Sequence, residues 1–466
     1  MELLAWLNQT VILPALPVCL MGAGIWYGVF LRSHRLLYPR VIGEVLTCPA
    51  GESGVSPRAA MTVALAGTLG VGNIVGVAGA ISLGGAGAVF WMWISALLAM
   101  VLKYAEITLA LRHRRTGADG QPLGGAMYYI SVCFGRWGRV IGSIFALLCL
   151  LNAVTMGSVV QIRAASSALT EMAGIPALGV GAAVSVLVLL ALRRGIRGIA
   201  ALTERLVPLM SVGFLLLSVG ALFCFREKLP AAIAEIFRSA FTLESGVGGV
   251  GGFLLSRSVR YGAMRGLLSN EAGCGTAPIA HASANVKLPA EQGVWGIVEV
   301  FVDTILLCTV TALVILASGA DLAQSDGMLL TLSAYRAALG EGAAWFLCAA
   351  IAVFAYATIL CWAHYGLGCV KWFGGQRWQV YLFLGIYAAS ILFGSVAAPD
   401  VVWDLADFAM GCMTLLNLPV LCIMMPEVRE ETEAFLAHQR KKLLRRPHNR
   451  AGDGGKVTSI SGLRGK

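Results

Sequence analysis

A chain of 466 residues that is 58% hydrophobic and only 13% charged cannot cover a water-facing surface, because a soluble protein of this size keeps roughly a quarter of its residues charged. Its net charge of +10 is scattered along the chain rather than gathered in one patch, which excludes nucleic acid as a natural partner. Its 12 cysteines show no CxxC or Cys/His spacing, and Cys149, Cys224, Cys308, Cys348, Cys412 and Cys422 lie in apolar runs. They read as small buried hydrophobes, not a disulfide or metal framework.

Apolar blocks of about 20 residues, the length a helix needs to cross roughly 30 Å of hydrocarbon, predict eleven spans. They centre on 11–31, 58–84, 86–111, 137–168, 178–193, 204–225, 246–268, 293–318, 343–371, 378–396 and 403–424. The first runs through Trp26 and Phe30 straight into Arg32 and Arg35 without a small-residue cleavage site, and so reads as a membrane helix, not a cleaved signal. The second holds Gly67-Thr68-Leu69-Gly70-Val71-Gly72-Asn73, then Gly76 and Gly79. In the third, Lys103 and Glu106 lie three apart on one face and read as a self-neutralising pair. The fourth carries Gln161 and Arg163 in an otherwise apolar stretch. A charge in mid-membrane costs at least ~3 kcal/mol unless paired or wet, so Arg163 calls for a structural partner or a role near a substrate.

The seventh span opens with Gly246-Val247-Gly248-Gly249-Val250-Gly251-Gly252, and Ser269-Asn270-Glu271-Ala272-Gly273 follows it as the expected cap of a half-helix. Glu299 and Asp303 share a face of the eighth, where Asp303 reads equally as a helix-packing group or as part of an ion pathway. The ninth contains Thr358, Trp362 and His364; His364 reads as a packed histidine. Beyond the eleventh, residues 426–466 form a basic tail whose end lacks apolar periodicity and is expected to be partly disordered.

Basic residues set the orientation. With the N-terminus outside, the connections after odd-numbered spans carry Arg32, Arg35, Arg40, Arg58, Arg112, Arg114, Arg115, Arg136, Arg139, Arg193, Arg194, Arg197, Lys287, Lys371 and Arg377. The opposite side mixes Arg226, Lys228, Arg238 and Arg336 with acidic residues. The tail is then cytoplasmic, in a bacterial-type inner membrane. The expected organisation is a peripheral helix with its connection (1–57), a ten-helix core (58–425) and the tail (426–466).

Glycine costs about 1 kcal/mol relative to alanine inside a helix. The two glycine clusters therefore mark either close helix contact or local unwinding. Their matching positions in spans 2–6 and 7–11 favour unwinding, the sequence mark of an inverted-repeat transporter. Backbone unwound at membrane depth is tolerated only where it lines a cavity. There free amides hold a carboxylate and free carbonyls a cation.

At these residues the chain resembles the alanine/glycine:cation symporter family of sodium:alanine symporters. The likeness runs through Gly67–Ala80 (GTLGVGNIVGVAGA), Gly84–Ala110, Gly124–Ile130 (GGAMYYI), Gly195–Pro208, Arg265–Asn285 (RGLLSNEAGCGTAPIAHASAN) and Val300–Leu316, covering most of residues 58–420. The resemblance implies an all-α polytopic protein with a leucine-transporter-type fold: five-plus-five inverted repeats with two discontinuous helices. It implies alternating access and uptake of alanine or glycine with sodium as the co-transported ion and no other cofactor. By the same likeness Thr68, Gly70, Gly72, Asn73, Gln161, Gly248, Gly249 and Trp362 would bind the substrate. The carbonyls of Ala66 and Leu69 and the hydroxyl of Thr358 would hold sodium. Trp362 would form a flat wall favouring small side chains. The chain departs from the family where Val71 replaces a common Thr, Ala357 a Ser, and Arg163 an Asn. The first two departures leave weaker sodium binding, proton coupling and a water-completed site as alternatives.

Three other readings compete. A channel needs a pore lined by repeating charged or carbonyl rings, which the sequence does not supply. A membrane enzyme needs a nucleophile–base pair or ligand cluster, and His34, His113, His281, His364, His438 and His448 are scattered. A relative that uses protons, or no sodium, is the closest competitor.

Overall fold

The computed structural model describes residues 2–47, 55–117, 120–241, 257–322, 326–397 and 399–445. Among these, eight helices are long and apolar enough to cross a membrane. Shorter or interrupted helices stand at the places of the second and fifth expected spans, and the described part of the seventh begins at Arg257. A peripheral helix α1 (Leu13–Phe30) precedes the core. The first half-repeat contains α2 (Pro57–Thr68) and α3 (Val75–Gly84), two parts of one interrupted helix. It continues with α4 (Gly87–Arg112) and a short α5 (Ala126–Cys133). Then come α6 (Gly138–Val154), joined through a π-helical turn at Met156–Val160 to α7 (Gln161–Ala173), then α8 (Ala177–Leu192) and α9 (Gly195–Cys224). A surface helix α10 (Leu229–Ala240) links the halves.

The second half repeats this order. An interrupted pair, α11 (Arg257–Asn270) and α12 (Ala277–His281), leads into α13 (Pro289–Val300). That helix runs through a π segment Phe301–Cys308 into α14 (Thr309–Ser318). A short α15 (Gly327–Leu339) occupies the place of α5. The long α16 (Glu341–Trp372), α17 (Arg377–Val396) and α18 (Pro399–Ile423) follow. Equivalent members of the halves pack on each other: α4 on α13, α7 on α16, and α8 on α17. A two-fold relation between halves produces such self-matching pairs.

Two contacts define the ends of the molecule. At one, Ser258 Oγ at the start of α11 donates to the Gly84 carbonyl ending α3 (2.7 Å). At the other, Gln292 Nε2 donates to the carbonyl of Pro57 at the start of α2 (3.0 Å). That second end is covered by α19 (Met425–Arg445), so the first part of the basic tail is an ordered helix. Its Glu427, Glu430 and Glu431 surround the Arg112 guanidinium at 2.8–3.0 Å, and Thr432 meets the Tyr104 hydroxyl at 2.7 Å. The tail's end, expected to be disordered, lies outside the described residues. Against the opposite edge, α1 lies along α18, where Tyr27 donates to the Leu421 carbonyl (2.5 Å).

Arg163 finds its partner in the backbone. Its Nη1 donates to the Ser395 carbonyl (3.4 Å) in the last turn of α17, where unsatisfied carbonyls and the negative end of the helix dipole favour a cation. It lies two residues beyond Gln161, about 200° around the helix, and so faces away from that side chain. Replacing Arg163 by alanine is expected to lower thermal stability by about 1–2 kcal/mol and leave uptake intact. Melting of the purified variant, beside its uptake in vesicles, checks both halves of that expectation.

Candidate functional site

The first interruption falls where the glycines predicted it. After Thr68 the helix stops: Leu69 turns to ψ 59°, Gly70 is extended (φ −102°, ψ −157°), and Val71–Asn73 form a single 3-10 turn before α3 resumes. The segment is buried, so its amides need partners. One comes from Gln161, whose Oε1 accepts from the Val71 amide at 2.9 Å while its Nε2 donates to the Met156 carbonyl at 3.3 Å. Gln161 follows the π turn directly, and such turns re-aim the side chains after them.

Gly70 is needed for this approach. A Cβ there would stand 2.6 Å from Gln161 Oε1 and 2.9 Å from the Thr358 hydroxyl oxygen. Thr358 lies on α16, and its Oγ1 donates to the Ala66 carbonyl at 2.8 Å. The structure thus brings Ala66, Leu69, Gly70, Val71, Gln161 and Thr358 together. Thr68 bonds within its own helix, to the Leu65 carbonyl. Gly72 faces the end of α11, where a Cβ on it would lie 3.7 Å from the Leu268 carbonyl oxygen. Trp362 is fully buried one turn along α16 from Thr358. Its ring presses on Gly157 of the π turn, where any Cβ would fall 2.4 Å from the indole stem. Among the described residues its buried indole N–H has no hydrogen-bond partner.

A second interruption is observed in the other half of the chain. Gly246–Gly252, with the candidates Gly248 and Gly249, lie outside the described residues. The observed break is further on, at Glu271–Thr276, where the sequence suggested only a helix cap. Glu271 adopts φ +52°, and Gly273 and Gly275 take φ +82° and +79°. A left-handed non-glycine residue is uncommon, and such strain persists only where the surroundings hold it. Here they do. The Glu271 carboxylate accepts from Thr276 Oγ1 (2.6 Å), Asn417 Nδ2 donates to the Gly273 carbonyl (2.9 Å), and the Gly275 amide donates to Glu106 Oε2 (3.0 Å).

Glu106 therefore serves the broken backbone, and Lys103 is paired elsewhere. Lys103 Nζ lies 3.1 Å from Glu299 Oε1, both buried, and donates to the Asn270 carbonyl at the end of α11 (2.7 Å). Gln292 Nε2 donates to His281 Nδ1 (2.8 Å), which leaves the Nε2–H of neutral His281 to donate to Glu299 (2.9 Å). The sequence expectation of a Lys103–Glu106 pair fails because interhelical neighbours outcompete the same-helix one. Asn73 likewise leaves the first break sideways: its Nδ2 donates to Asp303 Oδ1 (2.7 Å).

The two ends differ. Towards the end marked by Gly84, Arg265 on α11 stacks over Trp403 (4.7 Å) and faces Asp407 of α18 at 3.7 Å. Towards the end marked by Pro57, a cavity of about 190 Å³ opens between α9, α12 and α16, bordered by His364, Ser283 and Lys371. A second, of about 400 Å³, is bordered by Arg114, Arg115 and Arg197.

Comparison with known proteins adds the context. The sodium:alanine symporter family matches residues 1–450. The transporter YflA of Bacillus subtilis is 35% identical over 437 residues, which cover 91% of this chain and 92% of YflA. The sodium/alanine symporter AgcS of Methanococcus maripaludis is 32% identical over 432 residues, covering 91% of this chain and 94% of AgcS. Among solved structures, MhsT in complex with L-phenylalanine aligns with a TM-score of 0.55 at 14% identity, covering 80% of this chain and 90% of MhsT. At that identity the likeness speaks for the fold alone, which is of the leucine-transporter type.

Proposed function

This chain belongs to the sodium:alanine symporter family, and from that premise we propose that it is a secondary transporter carrying a small neutral amino acid, alanine or glycine, inward together with sodium. The observation that supports this most directly is the Gln161–Val71 contact over Gly70. It marks a polar, unwound stretch of backbone inside an apolar bundle, the environment a zwitterion needs. The substrate carboxylate is taken by the amides from Gly70 to Asn73, with Thr68 and Gln161 beside it. Trp362, wedged on Gly157, limits the room for a side chain.

Sodium sits among the carbonyls of Ala66 and Leu69 and the hydroxyl of Thr358. The Thr358–Ala66 contact of 2.8 Å supports that grouping. Ala357, buried beside Thr358, supplies no second hydroxyl, so weaker sodium binding, a site completed by water and proton coupling stand as the alternatives. The protein is a multi-pass membrane protein. In the proposed orientation the N-terminus is outside and the Pro57 end faces the cytoplasm. The Arg265–Asp407–Trp403 contact then belongs to the outer barrier, and the cavities beside His364 to the release path. Residues 58–425 act as the transport core, with 1–57 peripheral.

Uptake of labelled alanine into proteoliposomes tests this reading. Uptake should fall to background when choline replaces sodium, and Gln161→Ala should abolish it without loss of membrane insertion. Undiminished uptake in choline, with or without a pH gradient, would end the sodium reading; normal transport by Gln161→Ala would remove the site.

A further inference from the structure

The arginines at the Pro57 end do not share one environment. Arg112 is surrounded by three glutamates of α19. Arg114, Arg115 and Arg197 instead border the cavity of about 400 Å³, and among the described residues no acidic side chain lines it with them. Arginines scattered over loops need no more than a topological reason. These three come from two separate connections, one after α4 and one between α8 and α9, and converge on a single space.

Two of the three are held in place before any ligand arrives. Arg114 Nη1 donates to the carbonyls of Ala284 (2.8 Å) and Ala282 (3.3 Å), just beyond α12. Arg115 lies over the Tyr128 ring, 5.9 Å from its centre, within cation–π range. A guanidinium already ordered loses less freedom when it grips a ligand. The stretch that Arg114 holds is itself tied to the lead-in of α2, because the Asn285 amide donates to the Val55 carbonyl (2.9 Å). Arg197 is exposed and borders the same space from the start of α9. The space adjoins the smaller cavity beside His364, since Gln121, Pro122 and Ser283 border both.

We propose that Arg114, Arg115 and Arg197 bind a phosphate group, carried by a soluble anion or by the headgroup of an anionic lipid, and that the bound phosphate holds the release path shut. A carboxylate is satisfied by one guanidinium gripping both its oxygens. Three guanidiniums around one space match the larger charge and the additional oxygens of a phosphate, and Thr116 on the same border adds a hydroxyl. The gating half of the proposal rests on the transport reading above, with the Pro57 end cytoplasmic. There the ligand bridges Arg197 on α9 to Arg114 and Arg115, and through Arg114 to the chain leaving α12. Helices α9 and α12 are two walls of the smaller cavity, and the path opens only if they part.

Melting of the purified protein in detergent tests the binding without transport. One titration uses sodium phosphate against sodium chloride at matched sodium and ionic strength; the other uses phosphatidylglycerol against phosphatidylcholine in the micelles. At least one probe is expected to stabilise the wild type saturably, with half-saturation raised about tenfold by Arg197→Gln and by Arg115→Gln, each of which removes a charge-assisted bond. Arg377→Gln, which removes a charge away from the cavity, should leave the curve unchanged. A response to inorganic phosphate assigns the group to a soluble anion, and a response to phosphatidylglycerol alone assigns it to a lipid; either supports the site. No saturable response to either probe overturns it, as do Arg197→Gln and Arg115→Gln curves that match the wild type, or an equal shift in Arg377→Gln. Proteoliposomes loaded with the stabilising probe read the effect on the path: alanine uptake should fall in the wild type and not in Arg197→Gln. Uptake that ignores the probe overturns the gating and leaves the binding standing. A protein that binds the probe yet takes up no alanine under any condition overturns the transport reading and the gating with it, but not the phosphate site.

Discussion

Alanine at position 70 is expected to abolish uptake while the protein still inserts and folds. The reason is steric rather than conformational. Gly70 sits at φ −102°, which any residue adopts, so the backbone tolerates the substitution. The space does not. The new Cβ would lie 2.6 Å from Gln161 Oε1 and 2.9 Å from Thr358 Oγ1, both closer than real Cβ contacts. Thr358 is β-branched and stiff and is tied to the Ala66 carbonyl. Gln161 is tied at both ends of its amide, to Val71 and to Met156. One of them must give by several tenths of an ångström, and both belong to the proposed site. A misplacement of order 1 Å at a positioned group costs about a hundredfold, so transport should drop by about that factor. Gly179→Ala, on the exposed face of α8 with nothing within 4 Å of the added methyl, is the control and should transport normally. Initial rates of alanine uptake, normalised to protein in the membrane, read the comparison. A Gly70→Ala variant as active as Gly179→Ala would show that the contacts around Gly70 do not shape the site.

The elements legible in the sequence are those set by local chemistry. Hydropathy over about 20 residues located the spans, and a glycine run too dense for a helix located the first break. The break at Glu271–Thr276 was not legible as one. Nothing in Ser269-Asn270-Glu271-Ala272-Gly273 forbids a helix through Glu271; the left-handed turn there is held by Thr276, five residues on, and by Asn417 and Glu106 from other helices. The glycine run that suggested a break lies outside the described residues. Partners of buried charges were illegible for the same reason. Lys103 and Glu106 are close in sequence, but Lys103 faces α13 and Glu106 the broken backbone, a matter of helix rotation and packing. Asn73 and Asp303 are 230 residues apart, so the contact joining the halves exists only once both have folded. For Arg163 the sequence asked for a partner, and the answer was the end of another helix.

That dependence on packing makes Lys103 the most consequential buried charge for stability. Its ammonium is fully buried, 3.1 Å from Glu299 and 2.7 Å from the Asn270 carbonyl. Lys103→Met keeps the bulk and removes the charge, leaving Glu299 in the protein interior with neutral His281 as its remaining partner among the described residues. Breaking a buried pair from one side costs about 3–5 kcal/mol, whereas removing both partners can be near neutral. The single variant should therefore melt far below the wild type, and Lys103→Met with Glu299→Gln should recover most of the loss. The recovery should be incomplete, because the Asn270 carbonyl still loses its donor at the edge of the second break. A double-mutant cycle on melting midpoints separates the two contributions. If the double variant is no more stable than Lys103→Met, the bond to Asn270 and not the ion pair holds this part of the bundle, and transport in the double variant should then be as impaired as in the single.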